Sequence, residues 1–172
     1  ENHEANTLRT ARARIESETQ LQKEFGLKNK KEIWKVSSEL RRWNAQAKKL
    51  IGERGKPQAQ IEEKQLLGRL YKLGFLEETA HLEDVLTLEI KSILNRRLQS
   101  LVFKRGLSMS VNQARQFVTH GHINVNGRKI TVPSYLLNRE EENHVEFNPI
   151  SNIASVEHPE RQKEKTRKEL KK

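Results

Sequence analysis

The chain has 172 residues, no cysteine, and 33 Lys and Arg against 23 Asp and Glu, a formal net charge of +10. The absence of Cys excludes disulfides, Cys-ligated zinc and thiol catalysis. No apolar run approaches the roughly 18 residues of a membrane-spanning helix, and no secretory apolar segment opens the chain. The 44 Leu, Ile, Val and Phe are enough for a modest core or two small ones.

The positive balance points to a polyanionic partner, and its distribution sharpens the point. Residues 51–90 are acidic on balance, with five basic and eight acidic side chains, whereas residues 91–139 hold nine basic side chains and no Asp or Glu. A surface that faces phosphate requires such a window, because a carboxylate there would repel the ligand.

Residues 1–24 are polar and helix-permissive, and are expected to form an extended or helical arm. Asn29-Lys30-Lys31-Glu32 has the form of a capping box. Behind it Ile33, Val36, Leu40, Trp43, Ala47 and Leu50 recur at intervals of 3, 4, 3, 4 and 3, the apolar stripe of a helix packed inside a small domain. Gly52 and Gly55-Lys56-Pro57 end it. A second helix is expected over 58–73, with Ile61, Leu66, Leu67, Leu70 and Leu73 inward and Gly74 after its last turn. Residues 79–88 read as a connector. A third helix is expected from just after Thr87 through Ile90, Ile93, Leu94, Leu98, Leu101 and Val102 to Gly106.

Ser110-Val111-Asn112-Gln113 is a second capping box, opening a short helix that ends at His120-Gly121. His122 to Val125 alternates, Asn126-Gly127 is a hairpin signal, and 128–132 alternates back until Pro133. Val145-Glu146-Phe147 offers a later strand. Leu94, Leu98, Leu101, Val102, Phe117, Val118, Ile123, Val125 and Val132 would share one core. From Glu157 onward the chain is Glu, Lys and Arg with one Leu, a tail expected to be disordered until it meets a partner. The fold class is therefore α+β. A helical domain over 1–90 precedes a module of two helices on an antiparallel sheet over 91–157, and a charged tail occupies 158–172.

Catalytic chemistry has little to stand on. Asp84 is the single aspartate, and the Glu runs lie on polar stretches. There is no Gly-rich phosphate loop or zincin-type helix. His120 and His122 lack a third ligand in register, so no metal or cofactor is expected. What is present suits RNA. Arg96, Arg97, Lys104 and Arg105 fall on the third helix, with Arg97 seven and eight residues before Lys104 and Arg105, which would place them on one exposed side. Arg115 follows on the fourth helix, and Arg128 and Lys129 after the hairpin turn. Ser110, Asn112, Gln113, Gln116 and Asn124 could meet phosphate or 2′-hydroxyl oxygens. Phe103, Phe117 and Tyr135 are read as core, so base stacking should be minor.

Arg96-Arg97-Leu98-Gln99-Ser100-Leu101-Val102-Phe103-Lys104, then Gly106-Leu107, Ser110, Ala114-Arg115-Gln116 and His120-Gly121-His122-Ile123-Asn124-Val125-Asn126-Gly127 together resemble the S-four RNA-binding module. The flanking Leu27-Lys28-Asn29-Lys30-Lys31-Glu32-Ile33-Trp34-Lys35, the run Gln65-Leu66-Leu67-Gly68-Arg69-Leu70 and the segment His158-Pro159-Glu160-Arg161 resemble the archaeal and eukaryotic branch of the universal small-subunit ribosomal protein four family. That resemblance covers about residues 8–165. It implies a cytoplasmic, ribosomal, non-enzymatic protein that binds small-subunit rRNA directly and nucleates assembly of the subunit body. It also implies contact with small-subunit protein five and a contribution to translational accuracy. Some bacterial relatives carry a cysteine zinc site, which a chain without Cys cannot form.

Carried onto this sequence, the module's contacts would be Arg96, Arg97, Lys104, Arg105, Ser110, Asn112, Gln113, Arg115, Gln116, His120 and Lys129. The helical half would add Lys28, Lys30, Lys31, Lys35, Arg41, Arg42, Lys48 and Lys49. The alternatives are a stand-alone RNA-binding chaperone, which would not need the long helical half, and an RNA-modifying enzyme subunit. Pseudouridine synthases place an essential Asp in a domain after the module, and no Asp follows Arg139 here.

Overall fold

The computed structural model describes residues 2–155 together with 158 and 159. In chain order it runs α1 (Asn2–Glu24), α2 (Lys30–Gly52), α3 (Pro57–Lys72), α4 (Leu82–Leu86), α5 (Ile90–Asn95), α6 (Leu98–Lys104), α7 (Val111–Thr119), β1 (Ile123–Val125), β2 (Arg128–Lys129), α8 (Arg139–Glu142), β3 (Val145–Phe147) and a 3-10 turn at Asn152–Ala154. The three strands form an antiparallel sheet in the order β2-β1-β3, so the class is α+β. The tail expected beyond residue 159 lies outside the described residues.

Helix α2 buries Ile33, Trp43, Ala47 and Leu50, the stripe read from its spacing. The expected cap is differently wired. Asn29 occupies the cap position without a side-chain hydrogen bond, and the Glu32 Oε1 accepts from the Lys28 N–H at 3.1 Å. Helix α3 starts on Pro57, whose missing N–H is no loss in a first turn. Ile61 faces outward, 52% exposed, and Ala59 takes the inward place in that turn.

Two expectations about helices are corrected. The stretch 79–88 is not a plain connector, because Leu82 and Val85, both fully buried, anchor α4 against α2. Its first turn is closed by the Asp84 carboxylate, which accepts from the His81 N–H at 2.8 Å. The third helix is also not continuous. It stops at Asn95, turns extended at Arg97, and restarts as α6. Segment 133–137 explains the break: the carbonyls of Tyr135 and Pro133 accept from the N–H groups of Leu98 and Gln99, at 2.8 and 3.3 Å. Those groups would otherwise be orphan donors at a new helix start. Leu137 N–H donates back to the Arg96 carbonyl at 3.3 Å.

Three apolar clusters follow. One gathers α2, α3, α4 and Ile93 around Trp43, Leu50, Leu70 and Leu82. The second joins α6, α7 and the sheet through Leu98, Val102, Phe117, Val118, Ile123 and Leu137. The third is a small junction of Phe25, Leu27, Ile33 and Leu94. Leu94 thus belongs to the junction rather than to the module's core, Val132 is 52% exposed, and Phe103, expected inside, is 41% exposed. The Asn126-Gly127 turn has positive φ at both positions (50° and 72°), as a primed two-residue hairpin turn requires. Strand β2 ends at Lys129, short of the expected 128–132.

Candidate RNA-binding surface

The site is organised by a carboxylate. Glu32, in the first turn of α2, accepts from Arg97 Nη2 at 2.5 Å and from Arg115 Nη2 at 2.9 Å. It therefore ties α2 to the break before α6 and to the middle of α7. The Arg97 side chain is only 4% exposed, and its Nε and Nη1 are buried without a hydrogen-bond partner. Burial pushes the Glu32 carboxyl up, but the hydrogen bonds and charges of Arg115 and Arg97 outweigh it and hold it below the usual carboxylate range. Beside it Gln99, 1% exposed, donates Nε2 to the carbonyls of Phe25, Gly26 and Val111 at 3.1, 2.9 and 2.9 Å. The turn before α2 is thereby fixed against the start of α7.

This architecture sorts the residues read from the sequence. Arg96 and Arg97 do not lie on an exposed side with Lys104. Because the helix breaks between them and α6, they point inward: Arg96 donates Nε to the Leu73 carbonyl at 2.9 Å and pairs with Glu142, and Arg97 pairs with Glu32. Both act inside the fold. Arg115 is half-buried, with its guanidinium on Glu32. Ser110 and Gln113 hold the α7 cap. The Ser110 Oγ accepts from the Gln113 N–H at 3.1 Å, and the Gln113 Oε1 accepts from the Met109 N–H at 2.6 Å. Asn124 is 7% exposed within β1, not a surface donor.

The remaining groups are outside. Lys104, Arg105, Asn112, Gln116, His120, Arg128 and Lys129 are exposed. Arg105 is steadied by Asn143, whose carbonyl and Oδ1 accept at 3.3 Å each. Lys129 lies across Gly121, next to His120. Burial, then the positive charges of His120, His158 and Lys129, lower the pKa of the neighbouring His122. His120 and His122 stand with ring centroids 6.1 Å apart, and among the described residues no third ligand joins them to form a metal site.

On α2, Lys31, Lys35, Arg42 and Lys49 are exposed at intervals of 4, 7 and 7, a single helical face opposite the buried stripe. At 1.5 Å per residue that face runs for about 27 Å. Arg41 and Lys48 form a parallel row, and Lys28 precedes them in the turn. Lys30 is half-buried, 3.7 Å from Glu18. Lys35 and Arg115 line one cleft together with Glu32 and Glu39, so the exposed cations of α2 border α7 at the Glu32 junction. The sequence reading missed Glu32 and Gln99 as organisers of the site. The acid-free window 91–139 could have signalled Glu32, since any arginine buried there requires a carboxylate from elsewhere in the chain; no signal in the sequence marks Gln99.

A family model described as the S4 domain matches residues 96–143, which span α6, α7, the β1–β2 hairpin and α8. The chain is 47% identical over 160 residues to the small ribosomal subunit protein uS4 of Nanoarchaeum equitans, covering 91% of this chain and 89% of that protein. It is 50% identical over 149 residues to uS4 of Methanococcus aeolicus, covering 86% and 84%. It is 47% identical over 141 residues to uS4 of Methanosphaera stadtmanae, covering 82% and 77%. Identity near one half across most of both chains, with an S4 domain laid over the α6–α7 unit and its hairpin, places this chain in the archaeal-type uS4 family of small-subunit ribosomal proteins.

Proposed function

We propose that the protein is a structural, non-enzymatic component of the small ribosomal subunit that binds small-subunit rRNA directly in the cytoplasm. The observation that carries this reading is the continuous cationic face from Lys49 to Lys31 on α2, joined through Lys35 and Arg115 to the exposed polar side of α7. Of the two carboxylates that line that joint, Glu32 is neutralised by two arginines, and Glu39 stands against the exposed Lys35 and Arg42 of the same helix. The contact set is Lys28, Lys31, Lys35, Arg41, Arg42, Lys48 and Lys49 from the helical half. Lys104, Arg105, Asn112, Gln116, His120 and Lys129 complete it from the module. Arg96, Arg97 and Gln113 support that surface from within, and the exposed Ser110 caps α7 beside it.

In this reading residues 91–157 are the primary RNA-binding unit and residues 1–90 a second, tethered one. Binding one rRNA with both would favour an early role in building the subunit body. Contact with small-subunit protein five and an effect on translational accuracy rest on the family resemblance. A stand-alone chaperone is disfavoured by the uS4 relatives, which match through the helical half as well as the module. Sedimentation of cell extract tests the reading. The protein should co-migrate stoichiometrically with small subunits, and a protein found free of them would overturn it.

A further inference from the structure

We infer that Trp34 is a stacking platform for one unpaired rRNA base. The inference rests on the rRNA-binding reading above and adds a base contact to a surface otherwise described by charge. Trp34 is 46% exposed, whereas the other tryptophan, Trp43, is 3% exposed in the core. Among the described residues no apolar cluster includes the Trp34 ring. Its position is nevertheless fixed, because the indole Nε1 donates to the Glu18 carboxylate of α1 at 3.2 Å. That carboxylate also meets Arg14 at 3.1 Å and Lys30 at 3.7 Å, so its charge is compensated. The ring lies in a surface groove with Lys31, Lys35, Ser38, Glu39 and Arg42.

A rigid, half-exposed indole among three cations matches the chemistry of single-stranded RNA. The π-face takes a base and the cations take the flanking phosphates. An apolar protein partner would fit the same ring, but three cations against the single carboxylate of Glu39 in that groove favour a polyanion.

Affinity for a small-subunit rRNA transcript is measured for the full-length protein, Trp34→Phe and Trp34→Leu, together with acrylamide quenching of tryptophan emission. Both variants lose the tether to Glu18, and only Trp34→Phe keeps an aromatic face. Trp34→Leu should bind about 5- to 150-fold more weakly, matching ~1–3 kcal/mol per stacked base. Trp34→Phe should recover most of that loss. The salt slope should stay unchanged in both variants, because no charge is removed. In the wild-type complex the accessible emission of Trp34 should become protected from acrylamide. If the wild type binds and Trp34→Leu binds equally well, or if Trp34→Phe is as weak as Trp34→Leu, the platform is overturned while rRNA binding stands. Persistent acrylamide access to Trp34 in the complex would overturn it too. Failure of the wild type to bind at all would remove the rRNA reading itself.

Discussion

Replacing Glu32 with Gln should destabilise the protein by about 3 kcal/mol. Removing one member of a buried ion pair typically costs ~3–5 kcal/mol, because the remaining charge is left without compensation. Here that charge is Arg97, 4% exposed, with two further guanidinium nitrogens already unpartnered. The lower end of the range applies because Glu32 and Arg115 retain 17% and 24% side-chain exposure, so water can solvate part of what is lost. For a chain of this size the melting temperature should fall by roughly 6–12 °C. The pH dependence has a definite sign. The Glu32 pKa is lowered in the folded state, so its contribution is complete above the ordinary carboxylate value. It is lost as pH falls through the lowered folded-state value. Urea or thermal melts between pH 7 and pH 3 should therefore show wild type and Glu32→Gln converging in acid. The double variant Glu32→Met, Arg97→Met should be more stable than Glu32→Gln, since it removes the fully buried charge and leaves unpaired only Arg115, which water can partly reach. A Glu32→Gln protein within about 0.5 kcal/mol of wild type at pH 7 would refute the account of this junction.

The exposed cations should behave differently. Lys35→Glu and Lys104→Glu should leave melting nearly unchanged and lower the salt slope of rRNA binding by roughly 1 each, whereas Arg97→Glu should unfold the chain. Circular dichroism and filter binding separate the two classes, and an unfolded Lys104→Glu would contradict the surface assignment. Gln99→Leu removes the donor to three carbonyls at once and should cost about 2–3 kcal/mol in urea unfolding. Gly26 has φ +59°, and an added Cβ would lie 2.8 Å from Asn112 Oδ1 and 2.9 Å from Gln99 Nε2. Gly26→Ala should accordingly lower the melting temperature measurably. A fragment of residues 91–157 loses Glu32 and uncovers Leu94, so it should fold marginally and bind rRNA weakly. A fragment matching full-length affinity would demote the α2 face to a scaffold.

Local patterns carried much of the fold. The stripe of α2, the Ser110 cap and the Asn126-Gly127 turn are encoded by neighbours in sequence, and each forms where its residues predict. What failed depended on distant partners. Nothing between Ile90 and Gly106 announces a break, because segment 133–137 supplies the acceptors that make a second helix start possible. Helix α4 is too short to show a period and exists because Leu82 and Val85 dock on α2. The site divides in the same way. Exposed cations follow from helical phase, as for Lys31, Lys35, Arg42 and Lys49. The inward turn of Arg96 and Arg97 depends on Glu142 and Glu32, carboxylates 46 and 65 residues away.

Affinity for small-subunit rRNA as a function of salt tests the central claim most directly. With about six phosphates neutralised by the exposed cations of α2 and of the module, binding should weaken by about three orders of magnitude between 50 and 200 mM salt. Replacing Lys31, Lys35 and Arg42 together with Gln should flatten the slope by about three phosphate equivalents. A salt slope near zero, or one that the triple replacement leaves unchanged, would contradict the assignment of this face to the rRNA backbone.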